Sequence, residues 1–200
     1  MSKELIWKIL FAIMYNTNTM VINPTIYLEF LIPFLILGGR FTWNVAIAYV
    51  TSLFIYNIVY MLNDYIDYTS DVMKRRGKRS FVFLYEKNFI PPVISTLLVI
   101  SIGIVATGYQ ILLPTTVMSI VTTVFALLHS KLYDLRPITF LILRFIRISL
   151  PPLLLLYIEP SFKNLLLYSL AIFPIYNLKS YAEYIKMKGF NNSKPGIVVS

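Results

Sequence analysis

Apolar residues run through this chain in long blocks rather than in alternation, and short polar segments punctuate them. Runs bounded by turn or charge signals cover about Pro24 to Gly39, Thr42 to Leu62, Phe89 to Gly108, Ile111 to Leu128, Pro137 to Ile158 and Phe162 to Leu178. Most approach the ~20 residues that a helix needs to cross ~30 Å of hydrocarbon. None has the period-2 alternation of a membrane barrel strand, so backbone polar groups in lipid must be satisfied within helices. The pattern predicts an all-α, polytopic transmembrane bundle of about six spans over residues 21–185. It is preceded by an interfacial segment (1–20) and followed by a polar tail (186–200). In the first segment Leu5, Ile6, Ile9, Leu10 and Ile13 recur at helical spacing between Lys3, Glu4 and Lys8, as in a helix lying along a membrane surface. Pro33, Pro114, Pro151, Pro152 and Pro174 fall inside the runs, where they are expected to kink helices.

Composition agrees with the pattern. Hydrophobic residues make up 58% and charged residues 14% of 200, and mean hydropathy is +0.71. With no cysteine, disulfides, thiolate nucleophiles and thiolate metal sites are excluded. Most of the bases behind the net charge of +9 sit in short segments between apolar runs, which favours a bilayer and phosphorylated small molecules over nucleic acid. Fourteen bases fall at the two termini and in the segments after the second and fourth runs, against only Arg40 and Lys163 on the other side. The positive-inside rule then places both termini and both polar loops in the cytoplasm of an integral membrane protein.

Three of the four aspartates, Asp64, Asp67 and Asp71, lie within eight residues at the cytoplasmic end of the second run. On a helix they project within ~60° of one another, and Asn57 and Tyr60 continue the stripe toward mid-span. Such carboxylates repel unless a cation neutralises them, and an all-oxygen ligand set suits Mg²⁺ completed by substrate phosphate. Lys74, Arg75, Arg76, Lys78 and Arg79 follow as phosphate donors. The alternative is a solvated, salt-bridged helix end. In the fifth run Arg144 and Arg147 share a face at i, i+3, at a depth where arginines line polar cavities. Glu29 is a candidate counter-ion or a protonated packing residue, and His129 reads as a capping or loop residue at a helix end, with a base as the alternative.

The segment Asn63-Asp64-x-x-Asp67-x-x-x-Asp71, at the cytoplasmic end of the second span and before a basic loop, resembles the first aspartate-rich motif of the UbiA-type intramembrane prenyltransferases. Arg79-Ser80 stands near the family's Arg-Pro. His129-Ser130-Lys131-Leu132-Tyr133-Asp134-Leu135-Arg136 is similar to its Tyr-Ser and Leu-Lys loop, with His129 in place of tyrosine. The resemblance covers about residues 20 to 185. It implies Mg²⁺ at Asn63, Asp64, Asp67 and Asp71, with Asp64, Asp67 and Asp71 catalytic. Lys74, Arg75, Lys78, Arg79, Lys131, Arg136, Arg147 and Lys179 are then expected on the diphosphate. The implied activity is prenyl transfer from a polyprenyl diphosphate to an acceptor.

Two features depart from the family. It normally has nine transmembrane helices, and it usually carries a second aspartate-rich motif after the sixth, whereas this chain has no aspartate beyond Asp134. In that place Lys179-Ser180-Tyr181-Ala182-Glu183 is similar to a stretch of the family's polyprenyl-phosphate phosphoribosyltransferase branch, with Tyr181 and Glu183 as second-site candidates. Arg147 also falls near an arginine of that branch's fifth helix. The alternatives are therefore phosphoribosyl transfer to a polyprenyl phosphate, or a non-catalytic isoprenoid-binding membrane subunit.

Overall fold

A computed structural model describes the backbone of residues 3–21, 34–35, 41–73, 90–132, 135–160 and 163–167, and of 170, 171, 174, 177, 178 and 182. The side chains of 15–21, 64 and 67–73 are outside the description. Among the described residues there is no strand, and five long helices form: α1 (Lys3–Val21), α2 (Trp43–Met73), α3 (Ile90–Ala106), α4 (Leu112–Lys131) and α5 (Arg136–Ile158). Three stretches are long and apolar enough to cross a membrane: Trp43–Asn63 of α2, α4 and α5. Helix α3 is apolar but has 17 residues. Of the sixth run, residues 163–167, 170, 171, 174, 177 and 178 are helical. The first run is described only at Phe34 and Leu35, and the remainder of both runs lies outside the described residues.

Helix α3 stops short of the expected Gly108 for a local reason. Tyr109 N–H donates to Ile104 O at 2.9 Å and Gly108 N–H to Val105 O at 3.0 Å, the paired bonds of a Schellman cap. Gly108 takes the required left-handed φ of 60°, and Tyr109 follows at 66°. Pro114 proves to lie in the first turn of α4, where the missing N–H has no intrahelical acceptor to lose, so it starts that helix rather than kinking it. Pro151 and Pro152 do lie inside α5.

Helix α2 is central and packs on α3, α4 and α5, while α4 packs on α5 and α1 on α3. Residue pairings give the directions. Met61 meets Thr96, and Thr51 meets Gly103, so α3 runs against α2. Asn63 meets Ser130, while Val45 and Ile111, at the starts of α2 and α4, share one core cluster, so α4 runs with α2. The core has two parts. Val45, Ala48, Phe54, Ile55, Ile100, Ile111, Leu150, Leu154 and Leu155 fill one end, joined by Phe34 and Leu165. Tyr56, Val59, Ala126, Leu143 and Ile146 fill the other, and Met118 touches both.

The outward face is more apolar than the inward one. On α4 the buried positions are Pro114, Thr115, Thr122, Ala126 and Ser130, while Leu113, Val117, Ile120 and Val124 face out. On α3, Ser95, Thr96 and Gly103 are buried and Leu97, Leu98, Ile102 and Val105 are exposed. Small and weakly polar residues between helices with branched aliphatics outside is the arrangement of a protein solvated by lipid. Phe41, Trp43 (85% exposed), Tyr109 and Tyr157 form an exposed aromatic collar at one end. Such rings sit at the headgroup level. From Trp43 to Asn63 is ~30 Å of helix rise, the thickness of the hydrocarbon layer.

Helix α1 turns Ile9 and Ala12 inward and leaves Trp7, Leu10, Phe11 and Met14 exposed. Its Lys8 Nζ lies 2.6 Å from Glu4 Oε1, and that hydrogen bond and charge hold the Glu4 carboxyl below its ordinary value.

The α2–α3 seam depends on Gly103. A Cβ there would collide with Thr51 Oγ1 and lie 3.3 Å from Thr51 Cβ. Gly103→Ala is expected to lower thermal stability by about 1–3 kcal/mol through overpacking, with partial recovery in the Thr51→Ala/Gly103→Ala double variant. Thermal melts in one detergent check this, and equal losses in the single and double variants would remove Thr51 as the cause.

Candidate functional site

A cavity of about 220 Å³ opens between α2, α4 and α5 at the end opposite the aromatic collar. Two helical turns of α2 supply Tyr56, Val59, Tyr60 and Asn63, which share a face at i, i+3, i+4 and i+7. Helix α5 supplies Phe140, Leu143, Arg144 and Arg147 by the same spacing, and the end of α4 supplies Ala126, His129 and Ser130.

The two arginines are set against aromatic rings. Arg144 Cζ lies 5.2 Å from the Phe140 ring centre, and Arg147 Cζ lies 5.8 Å from that of Tyr56. Tyr56 in turn meets Tyr60 edge to face at 5.6 Å and 83°. Counted from Arg136, the arginines sit ~12 and ~17 Å along the helix, within the apolar span. A guanidinium at this depth is costly unless a polar cavity or an anion receives it, and a ring face tolerates it better than aliphatic carbon does. Both forked donors line this one small space.

The rim is fixed by hydrogen bonds that cross from helix to helix. Arg136 Nε and Nη2 donate to the carbonyls of His129 (3.0 Å) and Ser130 (3.2 Å), capping the C-terminal end of α4 with a cation. Ser130 Oγ donates to Asn63 Oδ1 at 3.5 Å, and His129 Nδ1 lies 2.9 Å from Thr139 Oγ1.

Of the residues singled out from sequence, Asn63, Tyr60, Arg144 and Arg147 come together at this cavity. Lys131 is exposed at the end of α4, and Arg136 engages the α4 carbonyls. Asn57 is buried and outside the cavity lining, and its Nδ2 has no hydrogen-bond partner among the described residues. Helix α2 continues unbroken to Met73, so positions 64, 67 and 71 are helical as the stripe requires, while their side chains are not described. Position 67 follows Tyr56 by three turns and shares its side of the helix by register. As a donor set, three carboxylates and an amide oxygen suit Mg²⁺. Among described side chains there is no group of three His, Asp or Glu. Glu29, Lys74, Arg75, Arg76, Lys78, Arg79, Asp134, Lys179, Tyr181 and Glu183 lie outside the described residues.

Sequence reasoning missed Phe140 and Tyr56 as cavity residues and read His129 first as a capping or loop residue, with Ser130 only as part of the loop segment. His129 and Ser130 close the inner stripe of α4 that begins at Thr115 and Thr122, a signal present in the spacing. Comparison with protein-family models, curated proteins and solved structures finds no match for this chain.

Proposed function

We propose that this chain is a Mg²⁺-dependent intramembrane transferase that binds the head group of a polyprenyl diphosphate in the α2–α4–α5 cavity and transfers its prenyl group to an acceptor. The observation that carries this reading is the cavity that receives Arg144 and Arg147 inside an apolar span, level with the polar end of α2. An anionic head group is attracted by the two positive charges, and an apolar tail is at home in the surrounding lipid. The cavity is large enough for a diphosphate and far too small for an isoprenoid chain, so the tail lies outside it. Tyr56, Tyr60 and Phe140 present π faces beside the head group, where an allylic cation forms when the carbon–oxygen bond breaks. The apolar helices exclude water from that carbon. Mg²⁺ on Asp64, Asp67 and Asp71 would supply charge neutralisation for the departing diphosphate. The likeness of the Asn63 to Asp71 segment to the UbiA-type motif supports the same reading, and six spans complete it.

The test is incubation of membranes containing the protein with isoprenoid diphosphates of several lengths and Mg²⁺, followed by mass spectrometry. Mg²⁺-dependent formation of a prenylated product is expected. A product bearing ribose phosphate, formed only with phosphoribosyl diphosphate, would replace this reading by sugar transfer. Absence of any product would leave a binding subunit.

The reading also requires the cavity end to face the cytosol, where soluble diphosphates are made. Single cysteines at positions 78 and 192, introduced into a chain that has none, are expected to resist an impermeant thiol reagent in intact cells and to react after lysis. Labelling from outside would reverse the orientation.

A further inference from the structure

We infer that the amino-terminal helix α1 dips into the hydrocarbon beside α3 instead of lying flat in the headgroup plane, and that acyl chains of the bilayer cover its outer face. A helix that lies along a membrane surface is apolar on one side and polar on the other, because water takes one of the two. From Leu5 to Met14, α1 has no polar side. Lys8 is the one charged residue of that stretch, and the rest are apolar or aromatic. Ile9 and Ala12 are buried and Leu5 and Ile13 half-buried, which makes the inner side. Ile6, Trp7, Leu10, Phe11 and Met14 make the outer one, with Trp7 71% and Met14 70% exposed. A helix that is apolar all round belongs in a protein core or in a membrane, and an outer side this open leaves the membrane.

What lies under α1 fixes its depth. It packs on α3, and Ile13 rests against the collar-side core cluster, as do Val99 and Ile104 of α3. That cluster holds Val45, Ala48 and Ile55 of α2, within the stretch long and apolar enough to cross the bilayer. Residue 13 therefore sits level with the body of the spanning helices and not at their ends. Beside it α3 turns Leu97, Leu98, Ile102 and Val105 outward, so the outer side of α1 adds to an aliphatic surface that lipid already solvates. The charges gather at one end of α1, where Lys3 and Glu4 open the helix. Lys8 reaches back one turn to Glu4, 2.6 Å away, which carries its ammonium out of the apolar stretch toward that end.

The chain has two tryptophans, Trp7 and Trp43, which makes depth measurable. Positions 7 and 14 lie two turns apart on one side of α1, so in a flat helix they share one depth, whereas in a helix inclined along α3 their depths differ by up to ~10 Å. The full chain is reconstituted in phosphatidylcholine vesicles brominated either near the headgroup or near the chain end. Trp43→Phe leaves Trp7 as the emitter, and Trp7→Phe/Trp43→Phe/Met14→Trp moves it to position 14. Both emitters are expected to lose fluorescence to brominated chains, to resist acrylamide from the water, and to differ in which bromine position quenches them more. A bimane on Met14→Cys, in a chain with no other cysteine, gives the same reading where the tryptophan variant does not fold. Equal quenching of both positions by the shallow bromines, or ready quenching by acrylamide, returns α1 to the membrane surface and overturns the inference. Resistance to bromine and acrylamide alike would mean that a second copy covers this face, which overturns lipid as its occupant.

Discussion

Asp64→Asn and Asp67→Asn are each expected to abolish Mg²⁺-dependent turnover, with a loss of at least about 10²- to 10³-fold, and to remove the Mg²⁺ dependence of diphosphate binding. Each change keeps the size of the side chain and deletes one charge of three that share a helix side. Lewis-acid stabilisation of a leaving diphosphate contributes several kcal/mol, and each 1.4 kcal/mol is tenfold. Asp71→Asn should cost less, because position 71 lies ~10 Å along the helix from position 64 and furthest from the cavity. Calorimetric titration of diphosphate with and without Mg²⁺ separates this from a salt-bridged helix end. In that case the variants would bind as the wild type does and would differ only in thermal stability.

Arg147→Met should cost far more in affinity than in stability. Holding a guanidinium in a membrane span costs about 2.5–3.5 kcal/mol on insertion scales, while its contact with a ring returns about 0.5–2 kcal/mol. Methionine fills similar space without that cost, so the loss of stability on substitution is expected to be small, within about 1 kcal/mol. Its affinity for geranylgeranyl diphosphate should fall about 10- to 100-fold, the value of one charge-assisted hydrogen bond. Arg144→Met should follow the same course, because Arg144 lines the same cavity. Lower stability together with unchanged affinity would make Arg147 a structural residue.

The parts of the molecule legible in its sequence are those with a one-dimensional signal. Apolar run length located the Trp43–Asn63 stretch of α2, and α4 and α5, to within a few residues, because hydrocarbon thickness sets the length of a spanning helix. The spacing of Arg144 and Arg147 placed them on one face, which the cavity bears out. Spacing also joined Tyr60 to Asn57, yet one lines the cavity and the other is buried away from it. A stripe on a helix states which residues are neighbours, and leaves open which partner helix each side meets. His129 illustrates the same limit. Its ring meets Thr139, ten residues on and in the next helix, and the periodicity of neither helix encodes that meeting. Tyr56 and Phe140 read as ordinary membrane aromatics until the arginines are seen against them. The early end of α3 was written in Gly108, whose left-handed conformation outweighs the apolar residues that precede it.

Pro151 and Pro152 occupy the boundary between the two parts of the core. Leu143 and Ile146, before them, pack around the cavity, and Leu150, Leu154 and Leu155 belong to the collar-side cluster. Two consecutive residues without an amide hydrogen remove two rungs from the hydrogen-bond ladder at that level. Mechanically α5 is therefore two rods coupled by a soft joint. Its lower rod carries Phe140, Arg144 and Arg147 and can tilt while the upper rod stays seated, so the width of the cavity is an elastic quantity rather than a fixed one.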